Sequence, residues 1–373
     1  MRVIRPLYGI PESGLHWFAT YFRHHREKLR MTTSTYDPCL LLTEKGSDCF
    51  GIIGMQTDDT LGLSDRAFSE REETELRNAD FDAKPKQILS TESPLIFNGC
   101  IIVKNDDDTI TVKQKEQGKK LALIDVKDEE TRKQKYVGHR ARGAYIATIC
   151  QPEASYDLSV AAQAQDPEPS DIIRLNRRLK WQIENVDRGL RYIPLDLGKA
   201  ALYVFVDGSF ANNKDLSSQL GYVVILGNET KHEATFRLRG NIITYSSTKS
   251  KRVTRSALAS ELYGMVQGAD IAYAISTTLE AITGQLGIPN IPTTMCTDSF
   301  SLYECLVKLG TTKEKRLMID IMALRQSYER RELYEIRWIN GQDNVADAMT
   351  KDSPNKSLER FVEGNEVTVR IRP

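Results

Sequence analysis

The chain has 373 residues, which is more than one ordinary hydrophobic core accommodates, and this length predicts two or three domains. Its hydrophobic fraction of 40% and charged fraction of 27% are ordinary for a folded protein and exclude a disordered or collagen-like chain. Lysine plus arginine and aspartate plus glutamate both total 51, so no overall positive field would hold the protein on a phosphate backbone, and any contact with nucleic acid has to be local.

The N-terminal residues and the cysteines bear on compartment and cofactor. Residues 1–6 lack the apolar core of a signal peptide, and no apolar run approaches the ~20 residues needed to span a bilayer. The six cysteines include no C-x-x-C pair, which argues against a zinc site and against a disulfide framework. We therefore expect a cytoplasmic or nuclear protein that is not secreted and has no membrane partner. The stretch Arg-Pro-Leu-Tyr-Gly at residues 5–9 predicts that a structural element begins close to Met1, and we therefore expect Met1 to be a truncation point rather than a natural domain start.

The first region, residues 1–83, combines a helical pattern with strand-like alternation. Residues 15–29 have the spacing of a helix, and residues 39–43 and 49–53 have the alternation of strands. The polar run at residues 57–60 contains Asp58 and Asp59. These features predict a hairpin that carries two acids at its turn.

The second region, residues 84–195, contains another hairpin pattern followed by helices. Residues 95–103 and 109–113 are joined across an Asn-Asp-Asp-Asp turn, and helical stretches continue to about Tyr192.

The third region, residues 196–355, has a mixed α/β pattern, and residues 356–373 are interpreted as a C-terminal tail. Residues 201–206 form a continuous apolar run, typical of a central strand that is buried on both faces. Further strands are predicted at residues 221–226, 234–238, 292–296 and 333–339, with a long helix at 255–279 and a last helix starting near Asp343.

Two acids follow predicted strands of this third region. Asp207 and Asp298 each stand where an apolar strand ends, and open α/β folds build their sites at the carboxyl edge of the sheet. Aspartate is also a common turn and cap residue, so either acid taken alone has a structural alternative.

Glu261 lies on the predicted long helix, on the same face as Ala257, Gly264, Met265 and Gly268. Small neighbours let such a face approach a sheet closely, which predicts that Glu261 points toward Asp207 and Asp298. A cation would relieve the resulting repulsion. The alternative is a solvated glutamate on the opposite face of its helix.

Asp347 lies near the start of the predicted last helix, where aspartate often only complements the helix dipole. Asp343 is the better candidate for the helix cap, which leaves Asp347 available for another role.

Four carboxylates without zinc-type ligands are suited to hard divalent cations. We expect two ions, Mg²⁺ or Mn²⁺, with Asp207 bridging them, Glu261 and Asp298 holding one and Asp347 the other. Such a pair of ions supports in-line hydrolysis of a phosphodiester.

The motifs around these acids resemble a known family. V-D-G-S at Asp207, A-S-E-L-Y at Glu261, C-T-D-S at Asp298 and A-D-A-M-T-K at Asp347 are similar, in order and spacing, to the ribonuclease H domain of Ty1/copia-type retrotransposon polyproteins. The resemblance implies a ribonuclease H fold, with a five-stranded mixed sheet and flanking helices, and an endoribonuclease that cuts the RNA strand of an RNA–DNA hybrid. Many cellular ribonucleases H place a histidine before the last aspartate, and none of the five histidines here lies there.

The resemblance extends upstream to the reverse transcriptase of the same family. L-Y-G-I-P-E-S-G-L-H-W at residues 7–17, D-P-C-L at residues 37–40 and Q-T-D-D at residues 56–59 are similar to its motifs. This implies an incomplete α+β palm at residues 1–83 and a thumb or connection at residues 84–195, with Asp58 and Asp59 as residual polymerase acids. Gln56 replaces the tyrosine of the motif, and the family's first catalytic aspartate has no counterpart. We therefore expect no DNA synthesis by this chain alone.

Four basic residues precede the predicted long helix, namely Lys249, Lys251, Arg252 and Arg255, with no acid between residues 241 and 260. They are candidates for phosphate contacts to a hybrid or to RNA, and a solvated basic loop is the alternative. Two other functions stay open, a retroelement relic that binds RNA or hybrid without cutting and a structural or interaction module. The remaining parts of a Pol polyprotein are expected partners.

Overall fold

The computed structural model describes residues 13–57, 59–81, 84–127 and 129–372. The chain divides into two compact units. The first unit comprises Met1–Ile88, Leu95–Gly99 and Ala274–Asn290, and the second comprises Leu89–Pro94, Cys100–Tyr273 and Ile291–Pro373. Of the helices formed by the described residues, none combines the length and the apolar character that a bilayer-crossing segment requires.

The first unit contains an antiparallel sheet in the strand order β1-β2-β3-β4. The predicted helix and strands of residues 15–53 are confirmed, and their apolar faces meet in a small core around Tyr21, Met31, Leu41 and Phe68. The elements are α1 (Ser13–Leu29), β1 (Met31–Thr33), β2 (Leu40–Thr43), β3 (Gly51–Gln56), β4 (Asp59–Ser64), α2 (Arg66–Asn78) and β5 (Leu95–Phe97).

The second unit begins with a small antiparallel arrangement of strands and three helices. Strand β7 pairs with both β6 and β8, and the helices bury apolar residues such as Tyr136, Ile146, Ile172 and Leu179. The elements are β6 (Cys100–Lys104), β7 (Ile110–Gln114), α3 (Arg132–Cys150), α4 (Ser155–Ala161), α5 (Pro169–Glu184) and β8 (Leu190–Tyr192).

The larger sheet of the second unit is mixed and has the strand order β13-β12-β9-β10-β11-β14. Strands β10 and β9, β10 and β11, and β11 and β14 pair antiparallel, whereas β12 is parallel to both β9 and β13. The predicted mixed sheet with flanking helices is therefore confirmed. The strands of this sheet and the helices that accompany them are β9 (Ala200–Ser209), β10 (Gln219–His232), β11 (Thr235–Lys249), α6 (Ala257–Gln285), β12 (Thr293–Thr297), α7 (Phe300–Leu306), α8 (Met318–Glu329), β13 (Glu335–Trp338), α9 (Ser357–Gly364) and β14 (Glu366–Arg370). The residues of α6 from Ala274 onward belong to the first unit.

The sheet has six strands instead of five, because the stretch interpreted as a tail completes the fold. Helix α9 ends at Asn365, whose left-handed backbone (φ 54°) turns the chain into β14. Val367 and Val369 then alternate into the core while β14 pairs with β11. The stretch E-V-T-V-R at residues 366–370 has the period-two alternation of a strand, so its interpretation as a tail was wrong.

The prediction that a last helix starts near Asp343 is wrong. Two short 3₁₀ turns, Gly341–Asp343 and Val345–Met349, occupy this stretch, and α9 follows them. Asn344, not Asp343, caps the second turn by accepting a hydrogen bond from the Ala346 N–H at 3.1 Å. The Asp343 carboxylate is held by Arg370, with its oxygens 2.7 and 2.9 Å from the guanidinium nitrogens.

Candidate active site

Three of the four acids predicted from the sequence converge at one edge of the six-stranded sheet. Asp207 lies near the end of β9, Asp298 directly follows β12, and Glu261 lies in the second turn of α6. One carboxylate oxygen from each of them lies within 4.8 Å of the others. Asp347, in the 3₁₀ turn, is connected to Asp207 through the ammonium of Lys351 instead.

Glycines bring the helix that carries Glu261 onto the central strand. A Cβ atom on Gly264 would lie 2.9 Å from the carbonyl oxygen of Asp207, and one on Gly208 would lie 2.4 Å from the carbonyl carbon of Ser260. The Ser260 hydroxyl donates to the Gly208 carbonyl oxygen at 3.2 Å across the same contact. Because the backbones of α6 and β9 touch, Glu261 faces the sheet, as the small-residue stripe predicts.

Asp298 is positioned by residues that the sequence did not single out. The Asn344 side-chain amide donates to the Asp298 carboxylate at 3.3 Å and to the Val206 carbonyl oxygen at 3.0 Å. The Trp338 indole N–H donates to the Asp298 carbonyl oxygen at 3.2 Å. A Cβ atom on Gly341 would lie 2.7 Å from a carboxylate oxygen of Asp298, so this position has no room for a side chain. In the sequence, these roles are indicated only for Asn344, which lies three residues before Asp347.

The Asp207 and Asp347 carboxylates are bound by donors from the segment after the 3₁₀ turn. The Thr350 hydroxyl donates to Asp207 Oδ2, and Lys351 Nζ lies 3.6 Å from Asp207 Oδ1. Lys351 also contacts Asp347 Oδ1. The Asn355 backbone N–H donates to Asp347 Oδ2 at 2.7 Å. Both oxygens of Asp347 therefore have partners from the protein.

Burial and crowding of like charges shift the pKa values of the acids upward. Burial raises the pKa of Asp207 to about 6, with Asp298 and Asp347 adding to the effect and Lys351 and Thr350 opposing it. Burial, followed by the charges of Asp207 and Asp298, raises the pKa of Glu261 well above its ordinary value. Burial also raises the pKa of Asp298, against the attraction of Lys351 and the Asn344 hydrogen bond. The protein alone therefore does not neutralise this group of acids.

Burial would lower the pKa of Lys351, but the charge of Asp207 and the contact with Asp347 outweigh this effect and raise it. The Lys351 ammonium is thus charged at neutral pH.

The chemistry of the site is suited to a divalent cation. Glu261 Oε2 is buried and finds no hydrogen-bond partner among the described residues, which is costly unless a cation binds there. The three converging side chains offer only carboxylate oxygens, the ligands that Mg²⁺ and Mn²⁺ prefer. A hard cation therefore fits the donor set.

The four predicted basic residues differ in their surroundings. Lys249 is paired with Asp215, and the Arg252 guanidinium lies 3.0 Å from an oxygen of Asp320 and 5.0 Å from the centre of the Tyr263 ring. Lys251 and Arg255 are exposed, and within the part of the chain that the structure describes neither forms an ion pair. These two side chains are the ones with a cationic head available to a ligand.

Of the two predicted polymerase acids, Asp59 lies at a hairpin of the first unit. Gln56 at the end of β3 is paired with Asp59 at the start of β4, and Asp59 is exposed. Asp58 lies outside the described residues.

No family model matches the chain, and no curated protein matches it. Among solved structures, the chain is similar to the ribonuclease H1 of Halobacterium salinarum NRC-1, at 16% identity and a TM-score of 0.29 over 43% of this chain and 98% of that chain. It is also similar to LC11-RNase H1, isolated from compost and solved in complex with RNA/DNA hybrid, at 14% identity and a TM-score of 0.28 over 42% of this chain and 99% of that chain. The foamy viral protease-reverse transcriptase in complex with RNA/DNA hybrid is 12% identical with a TM-score of 0.42, over 73% of this chain and 34% of that chain.

Proposed function

We propose that the second unit is a metal-dependent hydrolase that cuts the RNA strand of an RNA–DNA hybrid. The observation that carries this proposal is the convergence of Asp207, Glu261 and Asp298 from three elements far apart in the chain, with a buried Glu261 oxygen left unpaired. A solvated turn or cap acid does not need two other acids beside it, whereas a site for cations does.

Asp207, Glu261 and Asp298 would hold one Mg²⁺ or Mn²⁺ ion, and the acids open to a second ion, when it binds, are Asp207 and Asp347. When bound, such ions neutralise charge on a phosphodiester and lower the pKa of water, which allows hydrolysis at neutral pH. Within the protein, Asn344 orients the Asp298 carboxylate and Thr350 orients that of Asp207. Rigid support of this kind keeps the acids at the spacing that the cations require.

The substrate class is inferred from the motifs and from the basic loop. The motifs around the four acids resemble those of retrotransposon ribonucleases H, and Lys251 and Arg255 lie just before the helix that carries Glu261. Contacts from these side chains to phosphates would position a duplex without reading its sequence. An RNA–DNA hybrid is therefore the proposed partner.

The decisive experiment is cleavage of a labelled RNA–DNA duplex in Mg²⁺ by the whole chain, compared with Asp207→Asn. We expect the variant to lose roughly a hundredfold or more of the rate, as loss of a group that stabilises transition-state charge does. The matched control is Asp187→Asn, which changes an exposed acid outside the cluster and should cut like the wild type. Equal cutting by both variants would show that the nuclease lies elsewhere. Binding of the duplex without cutting by the wild type would favour the relic.

We further propose that the chain derives from a Ty1/copia-type Pol protein, with residues 1–83 as a partial palm, 84–195 as a thumb or connection and 196–355 as the nuclease. The hairpin of β3 and β4 supports this proposal because it presents an acid next to its turn. The substitution of the motif tyrosine by Gln56 argues against a working polymerase. We expect no extension of a DNA primer on an RNA template. Extension that is lost in Asp59→Asn would contradict this.

A further inference from the structure

The acids of the site form two halves. The halves differ in whether the protein supplies hydrogen-bond or ion-pair partners to their carboxylate oxygens. In the half formed by Glu261 and Asp298, one buried carboxylate oxygen, Glu261 Oε2, has no hydrogen-bond partner within the part of the chain that the structure describes. In the half formed by Asp347 and Asp207 Oδ1, Asp347 has a donor at each carboxylate oxygen, namely the Lys351 ammonium and the Asn355 backbone N–H, and the same ammonium lies 3.6 Å from Asp207 Oδ1.

Lys351 is placed to act as a cation for that second half. Its Nζ contacts Asp347 Oδ1 and lies 3.6 Å from Asp207 Oδ1, so a single positive charge serves both acids. The side chain is 41% exposed, whereas those of Asp207 and Asp347 are 2% and 8% exposed. The ammonium can therefore withdraw into solvent along its flexible stem, while the acids stay where the backbone holds them.

We propose that Lys351 is the resident cation of the Asp207–Asp347 half and thereby sets how many divalent ions the site binds. This inference rests on the proposed function. With Lys351 in place, the site takes one ion, held by Asp207, Glu261 and Asp298. A second ion has to displace the ammonium, because two cations beside the same pair of carboxylates repel each other.

Lys351 is thus a positioning residue. A second ion binds only when the Lys351 ammonium leaves the carboxylates of Asp207 and Asp347. Its replacement by methionine keeps the length and apolar stem of the side chain but removes the charge, which leaves Asp207 and Asp347 without a counter-ion. Its replacement by arginine keeps the charge. The two variants therefore separate the effect of the ammonium from that of the side chain's packing.

The test is the number of Mn²⁺ ions bound per chain, counted by electron paramagnetic resonance during titration of the whole protein. We expect one ion for the wild type, one for Lys351→Arg and two for Lys351→Met. Two ions in the wild type, or one ion in a folded Lys351→Met, would overturn the proposal. Thermal unfolding shows that each variant is folded, and Lys351→Ala provides a second charge-free variant if the methionine variant does not fold.

The result also separates this inference from the nuclease proposal. Glu261→Gln should lose the first ion whether Lys351 is present or replaced. Two ions in the wild type together with hybrid cleavage would leave the nuclease intact and remove the role of Lys351. No saturable Mn²⁺ binding in any of the proteins would overturn the metal site itself and, with it, both proposals.

Discussion

Replacing Asp207 by asparagine should stabilise the protein without metal while it abolishes cleavage. Burial raises the pKa of Asp207 from 3.8 to about 6, so the folded protein pays for the ionised carboxylate at neutral pH. One pKa unit corresponds to about 1.4 kcal/mol, which makes this cost about 3 kcal/mol. Asparagine removes the charge and still accepts a hydrogen bond from Thr350. We expect the free energy of unfolding in EDTA to rise by about 2–3 kcal/mol near pH 8.

The extra stability of Asp207→Asn should depend on pH and on Mg²⁺ in a defined direction. Because the folded-state pKa of Asp207 lies above its unfolded value, the folded wild type binds the proton more tightly and gains stability as the pH falls from above 6 toward 4. The advantage of the variant should therefore vanish near pH 4. Mg²⁺ binds the folded wild type and should stabilise it more than the variant, which reverses the order of stability.

Urea unfolding monitored by tryptophan fluorescence, at about pH 8 and about pH 4, with EDTA or with Mg²⁺, measures these differences. Asp187→Asn is the control and should change the transition by no more than about 0.5 kcal/mol under any of the conditions. An Asp207→Asn protein that is less stable than the wild type by the same amount at both pH values would refute the reasoning. Such a result would mean that the carboxylate contributes hydrogen bonds that outweigh its buried charge.

Three further outcomes test the support of the site and its contact with the substrate. Gly264→Ala should destabilise the protein by about 1–3 kcal/mol in thermal unfolding and lower cleavage, because its Cβ atom would press on β9. Gly284→Ala, on the same helix but with no atom within 4 Å of the added Cβ atom, should be neutral or stabilising by up to about 1 kcal/mol, and equal loss in both variants would contradict the contact. Asn344→Ala should lower the free energy of unfolding by about 2–3 kcal/mol and reduce cleavage, because it removes a fully buried amide that caps a turn and donates to two acceptors. An unchanged melting curve would argue against this role. Lys251→Ala combined with Arg255→Ala should weaken hybrid binding and lower the slope of log affinity against log salt by about 2, whereas an unchanged slope would place the phosphates elsewhere.

Local pattern in the sequence carried much of the prediction of the third region. The apolar run at residues 201–206 predicted β9, and the acid that ends the run marked Asp207. The spacing of Gly264 and Gly268 around Glu261 indicated the face of α6 that meets the sheet, whereas Ala257, predicted on the same face, is exposed. These predictions succeed because a helix or strand with one buried face repeats its apolar residues at a fixed period, and a strand buried on both faces is apolar throughout.

The end of the chain shows where such patterns stop being informative. A helix was predicted to begin within residues 341–349. Their polar side chains instead form hydrogen bonds with strands that are distant in the sequence, and the backbone forms two short 3₁₀ turns. The edge strand Glu366–Arg370 has the alternation of a strand, but so short a segment does not show by itself that it pairs with β11, and the stretch was interpreted as a tail.

The residue types and their order determined which acids follow a buried strand and which one lies on the long helix, because these properties depend on neighbours within a few positions, whereas the element that carries Asp347 was predicted wrongly. The tertiary structure alone decided that Asn344 orients Asp298, that an oxygen of Glu261 stays unpaired, and that Lys351 stands between Asp207 and Asp347. Such contacts join residues from elements that are far apart in the chain. Their distances, and hence the electrostatics of the site, follow from how the helices and strands pack and not from spacing along the sequence.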